Sequence, residues 1–247
     1  MKHDQILPRL SLSLRVKMAA SRSEYAAALE LLYHLYLAKG YTRPHPSGLL
    51  YNPVFGLPTS RTLVAIDAEG TTVGSLSVVG DNCHGLPMES TYPTEVESLR
   101  RQGRAIAEIA GLTVASGAGR RPREVFFALT EFMIQYAYWR RLDDLVMVMH
   151  PRHYRFYWEL FRAAPIGPCR LHQSVCGNPA IACRIGLEHL SRNVDPALWR
   201  RYFSRSYPNW CFEGPPMSAA DQEYFCRRRG IADRAVYAEH GEFARAG

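Results

Sequence analysis

The sequence predicts an α/β fold: a mixed, mostly antiparallel central sheet with helices on both faces. Three observations predict it. Two pairs of apolar segments are joined by tight turns, at Glu69–Gly70 and at Gly177–Pro179, and read as antiparallel hairpins. One strand–helix–strand run over residues 103–150 has the length of a parallel crossover. The whole order is strand, helix, hairpin, short helix, strand, long helix, strand, helix, hairpin, which one layered domain accommodates.

Leu10, Leu12, Leu14, Val16 and Met18 alternate with Ser11, Ser13, Arg15 and Lys17, a half-buried first strand. Ser21 and Glu24 form a capping box for the helix EYAAALELLYHLYLAK, which stops at Gly40. Residues 41–60 are rich in Pro, Gly and Ser and read as an ordered loop. RTLVAID and TVGSLSVVGD make the first hairpin. Pro93 opens the short helix TEVESLRRQ, which ends at Gly103. GRAIAEIAGLTV is the next strand, and the loop SGAGRRPR leads to the long helix EVFFALTEFMIQYAYWRRL. DDLVMVMH is a buried strand, PRHYRFYWELF a short helix with Pro151 at its start, and CRLHQSV with AIACRIGL the second hairpin. Residues 1–187 form one domain by this reading. Residues 188–247 read as a helical C-terminal appendage of two short helices, opened by Asp195–Pro196 and by Ser218 with Asp221.

Composition narrows the class. At 247 residues and 47% hydrophobic, the chain can build a sizeable core. The longest apolar run, 125–139, carries Glu131 and Gln135 and is too short for a membrane span. The alternating N-terminus lacks the apolar block of a signal peptide, so a cytoplasmic protein is expected. The formal charge is +7, nearly all of it arginine, since Lys2, Lys17 and Lys39 are the only lysines. A basic surface favours an acidic partner: nucleic acid, the surface of an anionic membrane, or an acidic carrier protein. The six cysteines form no CxxC pair and read as free thiols. Cys169 and His172 have opposite strand parity and face opposite sides, so no metal site is expected there.

One residue does not fit its segment. Glu108 sits among Ile106, Ala110 and Leu112 in a strand that is otherwise apolar. A buried carboxylate is costly unless paired or hydrogen-bonded. Arg104 shares its parity but lies about 13 Å away along an extended chain. The partner is therefore on another element, such as the sheet arginine Arg184, or it is a ligand.

The ordered blocks VGSLSVVGD, GLPMES, LRRQGRAIAEIAGLTV, VMHPRHYRFY and GNPAIACRI resemble the long-chain N-acyl amino acid synthases of the FeeM type. These are GNAT-fold relatives of the acyl-homoserine-lactone synthases. The resemblance covers about residues 10–187 and implies a GNAT-like acyltransferase. A long-chain acyl group would pass from the phosphopantetheine thioester of acyl carrier protein to the amine of an amino acid. No permanently bound cofactor is implied, and acyl-CoA stays open as donor. The lactone synthases carry an arginine three residues after the strand glutamate, where this chain has Gly111; that argues against a lactone product.

The resemblance also implies site residues. Thioester aminolysis needs a neutral amine, a polarised carbonyl and a way to discharge the thiolate. Glu108 would hold and deprotonate the amine. Gly111 marks a bulge, or alternatively room for a packed helix, and the amides of Leu112, Thr113 and Val114 would polarise the carbonyl. Gly117, Gly119, Arg120 and Arg121, before the long helix, would hold the donor's phosphate. Tyr157 would protonate the thiolate or simply pack the helix. His153 would relay protons or cap the helix start, and His150 would cap the preceding strand. Two rivals remain at this level. One is an acetyl-CoA-type N-acetyltransferase or an autoinducer-synthase-like enzyme. The other is a basic nucleic-acid-binding protein, against which the scattered arginines and Glu108 both speak.

Overall fold

The structure is a computed structural model that describes residues 14–116 and 122–231. Its strands are β1 (Arg15–Met18), β2 (Ser60–Ile66), β3 (Thr72–Gly80), β4 (Ile106–Val114), β5 (Asp144–Met149), β6 (Ala164–Pro165), β7 (Arg170–His172) and β8 (Asn178–Gly186). Its helices are α1 (Arg22–Ala38), α2 (Pro93–Arg101), α3 (Pro122–Trp139), α4 (Tyr154–Phe161), α5 (Leu190–Asn193), α6 (Pro196–Tyr202) and α7 (Ala219–Arg229). The strands lie in the order β1-β2-β3-β4-β5-β8-β6, with β7 paired to β8. Only β4 and β5 run parallel, joined through α3, and every other pair is antiparallel. This is the mixed sheet expected from the order of the elements.

Alternation along the strands explains the two helical layers. Leu63 and Ala65 of β2, Leu145 and Met147 of β5, and Cys183 and Ile185 of β8 share a core with Phe127, Phe132 and Ile134 of α3. The neighbours Val64, Ile66, Val146 and Ala182 point the other way, into a core with Leu29 and Leu32 of α1 and Val96 and Leu99 of α2. Both faces are apolar and both are covered. No helix among the described residues is long and apolar enough to cross a membrane.

The segment after Leu187 is built into these same cores. Leu190, Val194, Leu198, Tyr202 and Phe212 pack on the α3 face, while Met217, Phe225 and Cys226 pack on the α1 face. It holds three short α-helices and a 3₁₀ turn at Asn209–Phe212, where the sequence reading expected two helices. α5 was missed because it is only four residues long. The Tyr202 hydroxyl donates to the Leu160 carbonyl at 2.9 Å and Gln135 donates to the Tyr202 carbonyl at 2.8 Å, tying α6 to α4 and α3.

Candidate active site

Ile106, Glu108 and Ala110 of β4 point to the α1 side of the sheet. Across the sheet Glu108 is flanked by Val79 of β3 and Val146 of β5, both fully buried. It is itself 4% exposed. Its Oε2 accepts a 2.8 Å hydrogen bond from the Met88 amide, in the 3₁₀ turn Pro87–Ser90. That turn is braced by Arg100 of α2, which donates to Glu89 at 2.5 Å and to Asp81 at 2.6 Å. The balance of forces on Glu108 is one-sided. Desolvation raises its pKa, the Met88 amide lowers it less, Glu89 raises it again, and the carboxyl is pushed up to about 8.

The structure corrects one expectation here. Arg184 does not pair with Glu108; it faces Asp144 at 3.9 Å, and Arg104 forms an ion pair with the same carboxylate. A strand lies between them: Val146 of β5 is opposite Glu108 on one side and Arg184 on the other, which separates the two by two strand spacings, about 10 Å.

Gly111 sits at a bulge. Ser77 pairs with Ala110 but Ser75 pairs with Thr113, so β4 carries one more residue than β3 across this stretch. Gly111 has φ +62°, a left-handed conformation that suits glycine, and a Cβ there would lie 3.1 Å from Leu32 Cδ2. The extra residue reverses the facing of the rest of the strand. Ile109 packs on the α3 side before the bulge, and Leu112 and Val114 pack on that same side after it. Both expectations for Gly111 therefore hold together: it is a bulge, and it makes room for α1.

The parallel pairing of β4 and β5 ends at Ile109–Met147, although β5 continues to Met149. The strands part there, and a cavity of about 730 Å³ occupies the gap. Residues 109–114 line one wall and Met147 to Met149 the other, while Glu108 lies at its floor. Tyr157 and Phe156 of α4 close one side beside Phe126 of α3. The Tyr157 phenol is pushed up to about 12, first by burial and then by Tyr36, so it stays protonated. His153 also lines the cavity; desolvation, then Arg152, His150 and Lys39, hold its imidazole below the usual range. His150 caps the following turn, Pro151–His153, by accepting from the Arg152 amide at 3.2 Å, where the sequence suggested a cap on the preceding strand. The Thr113 hydroxyl is turned away, 2.9 Å from Ser75 Oγ. Gly117, Gly119, Arg120 and Arg121 lie outside the described residues. Among the described residues no group of three His, Cys, Asp or Glu side chains could hold a metal ion, and all six cysteines are free.

The sequence reading missed the wall opposite β4. Leu32, Leu35 and Tyr36 of α1 and its C-cap Lys39 all line the cavity, and Tyr41 comes after them. The Tyr36 phenol is pushed up to about 12 by burial, then by Tyr41 and Glu108. The signal was present as positions i, i+3, i+4 and i+7 on one helix, but a stripe of Leu and Tyr reads equally as core.

Comparison with solved structures places the fold. FeeM, an N-acyl amino acid synthase from uncultured soil microbes, superposes with a TM-score of 0.65 at 22% identity, over 75% of this chain and 96% of that one. The acyl-homoserine-lactone synthase LasI gives 0.54 at 13% identity, over 74% and 95%. The N-acetyltransferase fold of a Lactobacillus plantarum protein gives 0.51 at 12%, over 71% and 99%. No curated protein matches the sequence. The family model of the N-acyl amino acid synthase FeeM matches residues 27–186, most of the chain and every element around the cavity except the start of α1. The chain belongs to the FeeM family of N-acyl amino acid synthases and is an N-acyltransferase.

Proposed function

We propose that the protein transfers a long-chain acyl group from acyl carrier protein to the α-amine of an amino acid. The observation that carries this reading is Glu108, a buried carboxylate without a cationic partner among the described residues, at the floor of the gap between β4 and β5. A carboxylate poised near pH 8 can take a proton from an ammonium at neutral pH, and it is ionised by that ammonium as it binds.

The step balances within the site. The ammonium gives a proton to Glu108, and the neutral amine attacks the thioester carbonyl. A C–N bond forms, the C–S bond breaks, and the thiolate leaves. The parted edge of β4 from Gly111 to Val114 offers backbone amides for the developing oxyanion. Tyr157 gives its proton to the sulfur, the nitrogen sheds its second proton as the amide forms, and that proton returns to Tyr157 through His153 at the rim while Glu108 releases the first to solvent. The apolar walls, Leu112, Phe126 and Met147 among them, suit a fatty chain at about 0.8 kcal/mol per buried methylene.

The choice of donor rests on charge. An arginine-rich chain of net +7 suits an acidic carrier protein, with Arg120, Arg121 and, in the first turn of α3, Arg123 as the expected contact. One structural neighbour, the lactone synthase BjaI, is described as CoA-dependent, so acyl-CoA is the competing donor. The test is a lipid extract of an expressing bacterial host, read by mass spectrometry. New long-chain N-acyl amino acids are expected; only acyl-homoserine lactones, or nothing new with donors present, would overturn the reading. Salt then separates the donors, because turnover with acyl carrier protein should fall steeply as salt rises while turnover with a short thioester should not.

A further inference from the structure

An amino acid brings a carboxylate as well as an amine, and the cavity lining carries one charge of each sign to receive them. Among the described residues that line it, Glu108 is the only carboxylate and Lys39 the only permanent cation. The walls between are apolar or neutral, apart from three histidines. A site with one anion and one cation matches a zwitterion.

α1 carries Lys39 to the cavity that holds Glu108. Leu32, Leu35, Tyr36 and Lys39 fall on one helical stripe. Leu32 abuts the Gly111 bulge. Tyr36 lines the same cavity as Glu108. Lys39 is one turn further, a rise of about 4.5 Å, at the end of a flexible four-carbon stem. The flexible stem gives the ammonium group of Lys39 reach into the cavity, toward the carboxylate of an amino acid whose amine rests on Glu108.

Lys39 has no ion pair among the described residues, unlike Lys17, which is held by Glu24 at 2.7 Å. It contributes to the positive field on His153, so its charge bears on the cavity rim. Arg152 is not itself a lining residue, and its guanidinium is engaged by two that are, donating to the Tyr41 hydroxyl at 2.7 Å and to His153 Nε2 at 3.1 Å.

We propose that Lys39 binds the α-carboxylate of the acceptor and makes the enzyme select amino acids over simple amines. This rests on the amino acid reading above. Its rival is a helix-end lysine that only complements the α1 dipole.

The test compares an amino acid with its decarboxylated amine, which keeps the same side chain, using the purified protein and one long-chain acyl donor. Wild type should favour the amino acid. In Lys39→Gln the ratio of kcat/KM for amino acid over amine should fall about 10- to 100-fold, through KM for the amino acid, as expected for a lost charge-assisted hydrogen bond. Lys39→Arg should recover part of it. A Lys39→Gln enzyme that keeps the wild-type ratio refutes the role of Lys39 alone. A fall shared equally by both acceptors refutes it too, and points to the donor or to α1 instead. A wild type without preference for the carboxylate overturns this proposal together with the amino acid reading.

Discussion

Glu108→Gln removes a group that the fold keeps from ionising, and its stability should show this through pH. In the unfolded chain the carboxyl ionises near its ordinary value of 4.5; in the folded protein burial holds it at about 8. At low pH it is neutral in both states. Between the two values it ionises only on unfolding, so each pH unit of rise favours unfolding by about 1.4 kcal/mol. Above about 8 it is charged in both states, and the penalty levels off at roughly 5 kcal/mol. The glutamine keeps an oxygen for the Met88 amide and has no such titration. Urea unfolding of both proteins from about pH 5 to about pH 9 reads the difference. The variant should gain on wild type by about 1.4 kcal/mol per unit up to about pH 8, then run parallel. Parallel curves throughout would refute a buried, unpaired carboxyl. A variant that loses ground as pH rises would mean that Glu108 is a paired anion after all.

The same pKa governs turnover: kcat/KM should fall below about pH 8 as the free base protonates, while the limb in kcat lies lower because the bound ammonium holds Glu108 ionised. A pH–rate profile with the two limbs superposed would contradict this. Tyr157→Phe should lower kcat about 10²-fold with the native fold, and a thioester with a more acidic thiol should recover it; equal losses for both donors would assign the ring to packing. Gly111→Ala forces a left-handed alanine against Leu32 and should cost about 1–2 kcal/mol, a drop of roughly 2–8 °C in Tm. An unshifted melt would remove the strain from the bulge.

The parts legible in the sequence were those set by local pattern. The hairpins, the crossover and the α3 helix follow from periodicity, and Glu108 stood out because every neighbour of its own face is apolar. Gly111 signalled the bulge for the same reason, as a glycine inside a strand. The features that stayed hidden depend on register or on distant packing. Which arginine meets which carboxylate turns on the order of the strands: Arg184, one of the partners the sequence leaves open for Glu108, is separated from it by β5 and faces Asp144. The Met88 amide that binds Glu108 comes from a loop twenty residues earlier, braced by Arg100, and no spacing announces it. The strand Ala164–Pro165 is two residues long and has no period to detect. Tyr36 and Lys39 looked like an ordinary helix face until β4 and β5 were seen to part in front of them.

The most direct measurement is single-turnover formation of N-acyl amino acid by wild type and Glu108→Gln, with long-chain acyl carrier protein as donor and product counted by mass spectrometry against free thiol. Wild type should release one thiol for each amide formed. The variant, shown to be folded by its melt, should form product about 10²-fold or more slowly. A folded Glu108→Gln protein that acylates the amino acid at the wild-type rate would contradict the account.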